Sequence, residues 1–164
     1  TDTVEQKFWL VEGSKRQKIL LDFINHAEPE RAIIFANRRD RTHRLVEYLK
    51  KKQISCEGLA GDIPQKKRLS TLNKFKSGEL KYLIATDVAG RGIHVDGVTH
   101  VINFELPDDA EDYVHRIGRT GRAGSLGTAI SFVSEDDAFN LPALEEYLGG
   151  PIQCVQPDLL PDSD

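Results

Sequence analysis

The chain has 164 residues, 39% of them hydrophobic, and a formal net charge of −4 at pH 7. This length suits one domain with a packed core, and no apolar run is long enough to span a bilayer or to act as a secretory signal. Two distant cysteines, Cys56 and Cys154, and five scattered histidines lack metal-ligand spacing. The composition therefore excludes a zinc module, predicts no metal site and favours reduced thiols in a cytoplasmic protein.

Hydrophobic patterning alternates between strands and helices along the chain. Short apolar runs predict strands at 4–11, 32–36, 57–59, 82–85, 98–104 and 128–133, the first of them an edge strand. Helical spacing predicts helices at 14–26, 41–52, 64–76, 109–117 and 135–148, with Ser14 capping the first and Gly78 ending the third. This order predicts an α/β fold with a doubly wound, mostly parallel sheet and helices on both faces.

Polar or glycine-containing pairs follow three of the predicted strands, at positions 37–38, 61–62 and 86–87. In a parallel sheet, the loops beyond the carboxyl ends of the strands lie at one edge and bind ligands there. We therefore expect these three pairs to lie along one edge of the domain.

The segment 115–124, His-Arg-Ile-Gly-Arg-Thr-Gly-Arg-Ala-Gly, places arginines three residues apart in a glycine-punctuated turn. Glycine lets a backbone approach a ligand closely, and each guanidinium presents a rigid fork of donors that matches phosphate oxygens. The alternative is a solvated basic turn. Taken with the motifs elsewhere in the chain, the segment favours half of a nucleoside triphosphate site.

Positive charge is unevenly distributed along the sequence. Arginines and lysines crowd positions 38–52 and 66–68, and none follows Arg122. Local basic patches bind nucleic-acid phosphates despite a negative net charge, because charges are screened over about 8 to 10 Å at physiological salt. The alternative for any such run is a solvated helix face, which we favour for the lysines at 50–52.

The other half of a phosphate site is missing. No glycine is followed by lysine, so the chain lacks the G-x-x-x-x-G-K-[ST] loop that wraps phosphates and helps to place Mg²⁺. The acidic run 108–112 follows Leu106-Pro107 rather than an apolar strand, which indicates the N-terminus of a helix. Because the chain also starts at Thr1, without an initiator methionine, we expect a domain of a longer protein that does not hydrolyse ATP by itself.

Four segments, 33–37, 61–68, 85–93 and 115–124, together resemble the second RecA-like domain of DEAD-box RNA helicases. The resemblance covers residues 7–148 and implies a RecA-like three-layer fold, with the helicase domain at 1–150 and a mobile acidic tail at 151–164. Further segments at 65–69, 106–109, 111–115 and 140–143 are similar to one bacterial branch of that family. That branch implies a ribonuclease partner in RNA degradation.

The resemblance implies a role for each matching residue. One group of residues would act on ATP with Mg²⁺. The metal would be held mainly by the N-terminal RecA-like domain of the same protein. Arg119 and Arg122 would be arginine fingers, and His115 and Arg116 would complete the catalytic motif by tying it to the partner domain and to neighbouring motifs. Gly92 and His94 would lie at the nucleotide. The RNA-binding set would be Arg38, Gly61, Asp62, Arg68, Thr86 and Gly90.

Three positions depart from the family pattern. Arg38 stands where threonine is usual, Gly90 where alanine is usual and His94 where aspartate is usual. We expect a long cationic RNA contact at the first, closer backbone approach at the second and a pH-sensitive ribose contact at the third.

Two other functions stay open: a non-catalytic docking module for a ribonuclease, and a DNA translocase with related motifs.

Overall fold

The structure is a computed structural model that describes residues 3–122 and 125–158. Within that range the strands are β1 (Val4–Leu10), β2 (Ala32–Phe35), β3 (Cys56–Leu59), β4 (Tyr82–Ala85), β5 (His100–Asn103), β6 (Gly127–Val133) and β7 (Cys154–Val155). The α-helices are α1 (Arg16–Ala27), α2 (Arg39–Lys51), α3 (Gln65–Ser77), α4 (Asp87–Gly90), α5 (Ala110–Ile117) and α6 (Leu141–Leu148).

The strands form one sheet in the order β3-β4-β2-β5-β6-β1-β7, and every described pair is parallel. This confirms the predicted α/β fold. The first strand is not at the edge, however, because all seven residues of β1 pair with β6 and Phe8 and Trp9 also pair with β7. Apolar residues occur on both sides of β1, which is the pattern of a strand covered on both faces.

Alternate residues of each strand enter different cores, as the period of two requires. Ile34 packs with α1 and α2 on one face of the sheet, whereas Ile33 and Phe35 pack with α3 and α4 on the other. A third cluster lies on the same face as the second and joins β1 and β6 to α5 and α6. Helices thus cover both faces, and the loops beyond the strand ends stay open to solvent.

Three local predictions are wrong. Ser14 lies inside a 3₁₀ turn at Gly13–Lys15 and makes no capping bond, and α1 begins only at Arg16. The predicted helix at 135–148 is split into a 3₁₀ turn at Glu135–Asp137 and α6, which begins at Leu141 with a proline in its first positions. Proline is tolerated only in the first turn of a helix, so it forces the break.

Two helix-end predictions are confirmed. Gly78 ends α3 in the left-handed conformation with φ at 87°, which glycine adopts without steric cost. Asp109 is the N-cap of α5, and its side chain accepts a hydrogen bond from the Glu111 amide at 3.2 Å. The acidic run is therefore the start of a helix.

The predicted tail begins inside the sheet rather than beyond it. The Ile152 amide donates to Glu145 at 2.8 Å, and β7 then pairs with β1. The boundary at 151 therefore moves towards the C-terminus, because these residues cover the outer side of β1. Residues 159–164 of the predicted tail lie outside the described residues. None of the helices described here has the length and apolarity needed to cross a membrane.

Candidate functional site

Arg116 occupies the centre of a network that joins three strand ends. Its side chain is 1% exposed. Nε and Nη2 donate to the two carboxylate oxygens of Asp87 at 2.7 and 2.8 Å, and Nη2 also donates to Asn37 at 2.6 Å. Nη1 donates to the Asn103 side chain at 3.1 Å and to the Glu105 carbonyl at 2.7 Å. Because these acceptors follow or end β2, β4 and β5, one guanidinium fixes three loops.

All five N–H donors of Arg116 are used in this network. No donor is left for a phosphate oxygen in this arrangement, which fits the expected tie of Arg116 to neighbouring motifs; its part in the catalytic motif stays a prediction. The structure assigns it a positioning role, and it ties its own motif to neighbouring ones. Its bidentate pair with Asp87 has the geometry that makes arginine superior to lysine at such a site.

Phe35 lies next to both Arg116 and Gly90. The Arg116 guanidinium carbon lies 5.2 Å from the centre of the Phe35 ring, a cation–π distance. A β-carbon added to the buried Gly90 would lie 2.9 Å from Cε1, at the edge of the same ring. Glycine at this position thus makes room for Phe35. Gly90 also lines the cleft described next, and close approach of a ligand to its backbone stays a prediction.

A cleft of about 240 Å³ lies beside this network. Residues from the end of β2, from α4 and the loop after it, and from α5 and the turn after it line this cleft. Six of them carry charge or can acquire it: Asp87, Arg91, Asp112, His115, Arg116 and Arg119. Gly92 also lines the cleft, at a φ of 78° that favours glycine. Four of the six are arginines or a histidine, side chains that can donate hydrogen bonds to phosphate oxygens, and the other two are aspartates.

Arg119 is the predicted finger that lines the cleft. Its Nη1 donates to the Ile93 carbonyl at 2.7 Å and its Nε to the His115 carbonyl at 3.3 Å. Burial and then the charge of Arg122 lower the pKa of Arg119, but a guanidinium stays protonated at neutral pH. Two like charges held near each other favour binding of an anion. Arg122 is half-buried and does not line the cleft.

The two histidines predicted to act at the nucleotide site also differ in whether they line the cleft. His115 is exposed on α5 and lines the cleft. His94 is exposed on the loop after α4, outside the cleft lining. Burial, with Asp87 and Asp109 next, raises the pKa of Asp112 inside the cleft. Arg116 and Arg91 act in the opposite direction, so this carboxyl group lies among charges of both signs.

The predicted RNA-binding residues gather at the carboxyl ends of three adjacent strands. Arg38 follows β2 and is exposed, the pair Gly61–Asp62 follows β3, and Thr86 follows β4. Because β3, β4 and β2 are neighbours and parallel, their ends share one edge of the sheet. The predicted common edge is confirmed for these loops.

Thr86 and Arg68 meet around the short helix α4. The Thr86 hydroxyl accepts a bond from the Ala89 amide at 3.4 Å, so its own proton is left to donate. Arg68 Nη1 donates to the Ala89 carbonyl at 2.8 Å. The guanidinium is therefore held at the strand-end edge with donors to spare.

Asp62 is held by residues that the sequence analysis did not identify. His43 Nε2 lies 3.1 Å from its carboxylate, and Arg39 lies 3.9 Å away. The His43 hydrogen bond is the main cause of the lowered pKa of Asp62. Arg39 and His43 lie one turn apart on α2 and so face the same loop, which is the sequence signal that could have found them.

The central network was also missed, although Asn37 and Asp87 stand inside the motif segments. Their place in the sequence was the available signal. Each stands two residues after the end of a strand and next to a residue predicted to bind RNA, Arg38 or Thr86. Within residues 3–122 and 125–158, no three His, Cys, Asp or Glu side chains gather as a metal site. The Asp87 carboxylate is taken by Arg116. The donors of the cleft therefore fit phosphate oxygens and do not fit Mg²⁺.

Three comparisons with known proteins agree with this geometry. The model of the helicase conserved C-terminal domain matches residues 15–124. ATP-dependent RNA helicase RhlB of Pseudomonas aeruginosa is 55% identical over 157 residues, which are 96% of this chain and 40% of that protein. RhlB of Pseudomonas syringae is 50% identical over the same shares. The chain thus spans about two-fifths of the length of these curated relatives.

Solved structures share the fold. The Escherichia coli DEAD-box protein SrmB, bound to the regulator of ribonuclease activity RraA, has a TM-score of 0.86 at 34% identity, over 98% of this chain and 96% of that one. Saccharomyces cerevisiae Dbp5 bound to RNA and ADP BeF3 has a TM-score of 0.85 at 31% identity, over 95% of this chain and 42% of that one. The RecA-like three-layer fold is therefore confirmed.

Proposed function

The chain belongs to the helicase conserved C-terminal domain family, as the C-terminal domain of a DEAD-box helicase similar to RhlB, and on this premise we propose how it works in the complete protein. It is the second half of an ATP-dependent RNA helicase of the cytoplasm. Together with an N-terminal RecA-like domain it closes on ATP and RNA, and closure separates a short duplex locally.

The Arg116 network carries this proposal. It fixes the loop of Asn37, next to Arg38, and the loop of Asp87, next to Thr86, while its own helix leads into the turn of Arg119. A shift of that helix on nucleotide binding therefore moves the strand-end loops that face RNA. One buried side chain couples the two surfaces that the sequence predicts separately.

Arg119 and Arg122 act on the triphosphate. Phosphoryl transfer develops negative charge on the γ-phosphate oxygens, and a guanidinium supplied by a second domain stabilises that charge only when the domains are closed. His115, exposed at the mouth of the cleft, contacts the partner domain. Mg²⁺ would be held by the N-terminal half and would neutralise phosphate charge there, so this domain alone is expected to be inactive.

RNA is held through its sugars and phosphates. Arg38, Arg68 and the Thr86 hydroxyl present donors at one edge, with the backbone of Gly61 open to close approach because no atom lies within 4 Å of where a β-carbon would be. Such contacts carry no base information. Weak sequence preference follows, as local unwinding of many RNAs requires.

The experiment is steady-state ATP turnover by the complete helicase with Arg119→Ala or Arg122→Ala. Loss of an arginine finger lowers turnover by about 10³ to 10⁵, so either variant should nearly abolish the RNA-stimulated rate. Near-normal turnover would contradict the proposal. Stimulation of turnover by RNA rather than by DNA would exclude a DNA translocase.

Docking of a ribonuclease is a second proposal, which rests on the similarity to RhlB. Exposed aromatic residues outside the cleft favour it: Phe139 is 90% exposed and Tyr147 on α6 is 52% exposed. Because docking would not need the N-terminal half, this domain should bind such a partner while showing no ATPase. Calorimetric titration of the domain with Phe139→Ser as the variant tests it, and unchanged affinity would place the contact elsewhere.

A further inference from the structure

The turn between the two predicted fingers depends on other parts of the molecule for its shape. Arg119 and Arg122 are separated only by Thr120 and Gly121, in the connection between α5 and β6. Gly121 has a φ of 68°, and glycine adopts either sign of φ readily. The direction in which the backbone enters Arg122 must therefore be fixed by contacts with residues outside the turn.

Thr3, the residue before β1, supplies two such contacts. Its hydroxyl Oγ1 donates to the Gly121 carbonyl at 2.7 Å, and its own carbonyl accepts a hydrogen bond from the Gly127 amide at 2.9 Å. Thr3 is 118 residues away from Gly121 in the sequence and stands outside every motif segment of the sequence analysis. One residue thus binds the chain both before and after Arg122.

The two glycines that Thr3 contacts leave no room for a side chain. A β-carbon added to Gly121 would lie 2.8 Å from the Thr3 carbonyl oxygen and 2.8 Å from Cγ2 of Val4, whereas non-bonded carbon atoms pack at about 3.5 to 4.0 Å. A β-carbon added to Gly127 would lie 2.6 Å from the Gly121 amide nitrogen. The backbone of the turn therefore lies directly against Thr3 and Val4, and its position depends on them.

The hydroxyl bond of Thr3 acts on the peptide group that leads into Arg122. The Gly121 carbonyl and the Arg122 amide belong to one rigid peptide plane, so a bond to that carbonyl orients the backbone from which the Arg122 side chain departs. Arg119 is held in another way, since its own guanidinium donates to two backbone carbonyls at 2.7 and 3.3 Å. The two predicted fingers thus have different anchors.

From these contacts we propose that Thr3 is a positioning residue for the Arg122 finger. The proposal rests on the proposed function, in which Arg122 acts on the triphosphate, and adds to it a residue outside the motifs. Arg122 is half-buried and does not line the cleft, so the direction set by its backbone decides whether its guanidinium reaches a phosphate in the closed enzyme. A displacement of about 1 Å at a catalytic site costs about 10²-fold in rate.

The test measures kcat for RNA-stimulated ATP hydrolysis by the complete helicase at saturating ATP and RNA. Thr3→Val removes the hydroxyl and keeps the shape of the side chain, whereas Thr3→Ser keeps the hydroxyl. The matched control is Thr128→Val in β6: Thr128 is half-buried like Thr3, and its hydroxyl forms no hydrogen bond within residues 3–122 and 125–158. Thermal unfolding gives the folded fraction, and rates are expressed per folded molecule.

Thr3→Val should lower kcat about 10- to 100-fold, which is less than the loss of about 10³ to 10⁵ expected when a finger is removed. Thr3→Ser and Thr128→Val should each stay within about threefold of the unmodified enzyme. Because a finger acts on the γ-phosphate, the affinity for ADP with beryllium fluoride should fall together with kcat. The affinity for ADP alone should stay within about twofold.

Four results would overturn the proposal. They are a kcat of Thr3→Val within about threefold of the unmodified enzyme, an equal loss in Thr3→Ser, an equal loss in Thr128→Val, and equal losses of affinity for ADP with and without beryllium fluoride. The last of these would indicate a general disruption of the domain. If Thr3→Val does not fold, Thr3→Ala is the hydroxyl-free variant and is judged by the same limits.

Arg122→Ala separates this proposal from the proposed function. If Arg122→Ala nearly abolishes turnover while Thr3→Val leaves it unchanged, the finger stands and only the role of Thr3 is wrong. If Arg122→Ala turns over at a near-normal rate, Arg122 is not a finger, and the role of Thr3 fails with it.

Discussion

Replacing Gly90 with alanine tests the packing that holds the centre of the site. The new methyl group would lie 2.9 Å from Cε1 and 3.4 Å from Cζ of Phe35, closer than carbon atoms pack at about 3.5 to 4.0 Å. Phe35 cannot retreat freely, because its other neighbour is the Arg116 guanidinium, 5.2 Å from the ring centre. The ring must therefore shift and disturb the network.

The expected magnitude comes from two opposing terms. Overpacking of a well-packed core costs about 1 to 3 kcal/mol, whereas glycine to alanine at a helical position gains up to about 1 kcal/mol. Gly90 ends α4, and its φ is not positive, so alanine brings no backbone strain. We therefore expect Gly90→Ala to lower the free energy of unfolding by about 1 to 2 kcal/mol.

The assay is urea unfolding followed by the fluorescence of Trp9, the single tryptophan, which is 2% exposed. Phe35→Leu should be destabilising alone and should rescue Gly90→Ala in the double variant, with a coupling energy of about 1 kcal/mol or more. The control is Gly61→Ala, where no atom lies within 4 Å of the added carbon. Additive effects within about 0.5 kcal/mol would refute the packing argument.

Three further predictions concern single groups. Arg116→Met should lower the free energy of unfolding by about 3 kcal/mol, the lower end for a broken buried ion pair because Asp87 is partly exposed; a loss below about 1 kcal/mol in urea would contradict the network. Burial raises the pKa of Cys56 to about 11, so at pH 8 a thiol reagent should modify Cys154 first and Cys56 only after unfolding, and equal rates would contradict this. Since the folded pKa is the higher one, the stabilisation from the Cys56 thiol is present below the unfolded pKa of about 8.5 and is lost as the pH rises towards 11. If His94 bonds the ribose, ATP affinity of the complete helicase should change between about pH 5.5 and 8, and a flat profile would remove it.

Sequence reasoning performed best where chemistry is local. The strand-helix alternation, the glycine end of α3 and the aspartate start of α5 depend on neighbouring residues, and all three were predicted. It performed worst where a proline competed with hydrophobic spacing, as at α6, or where distant strands meet. The pairing of β1 with β7 joins segments more than 140 residues apart, and no local pattern encodes it.

The candidate site shows the same division. The motif arginines, and the polar positions after β2, β3 and β4, could be read from the sequence because residue type and strand order suffice. The function of each arginine could not. Arg116 and Arg119 are three residues apart and chemically alike, yet one is enclosed by acceptors from three strand ends and the other lines an open cleft.

The sequence by itself determined the family, the parallel α/β architecture and the edge at which the polar loops lie, since each follows from residue types in a fixed order. Only the tertiary structure decided that Arg116 positions loops, that Gly90 accommodates Phe35 and that His43 meets Asp62. These depend on distances between elements far apart in the chain. Such distances arise when the helices pack on the sheet. Some side-chain N–H groups then form buried hydrogen bonds, whereas others remain able to bind a ligand.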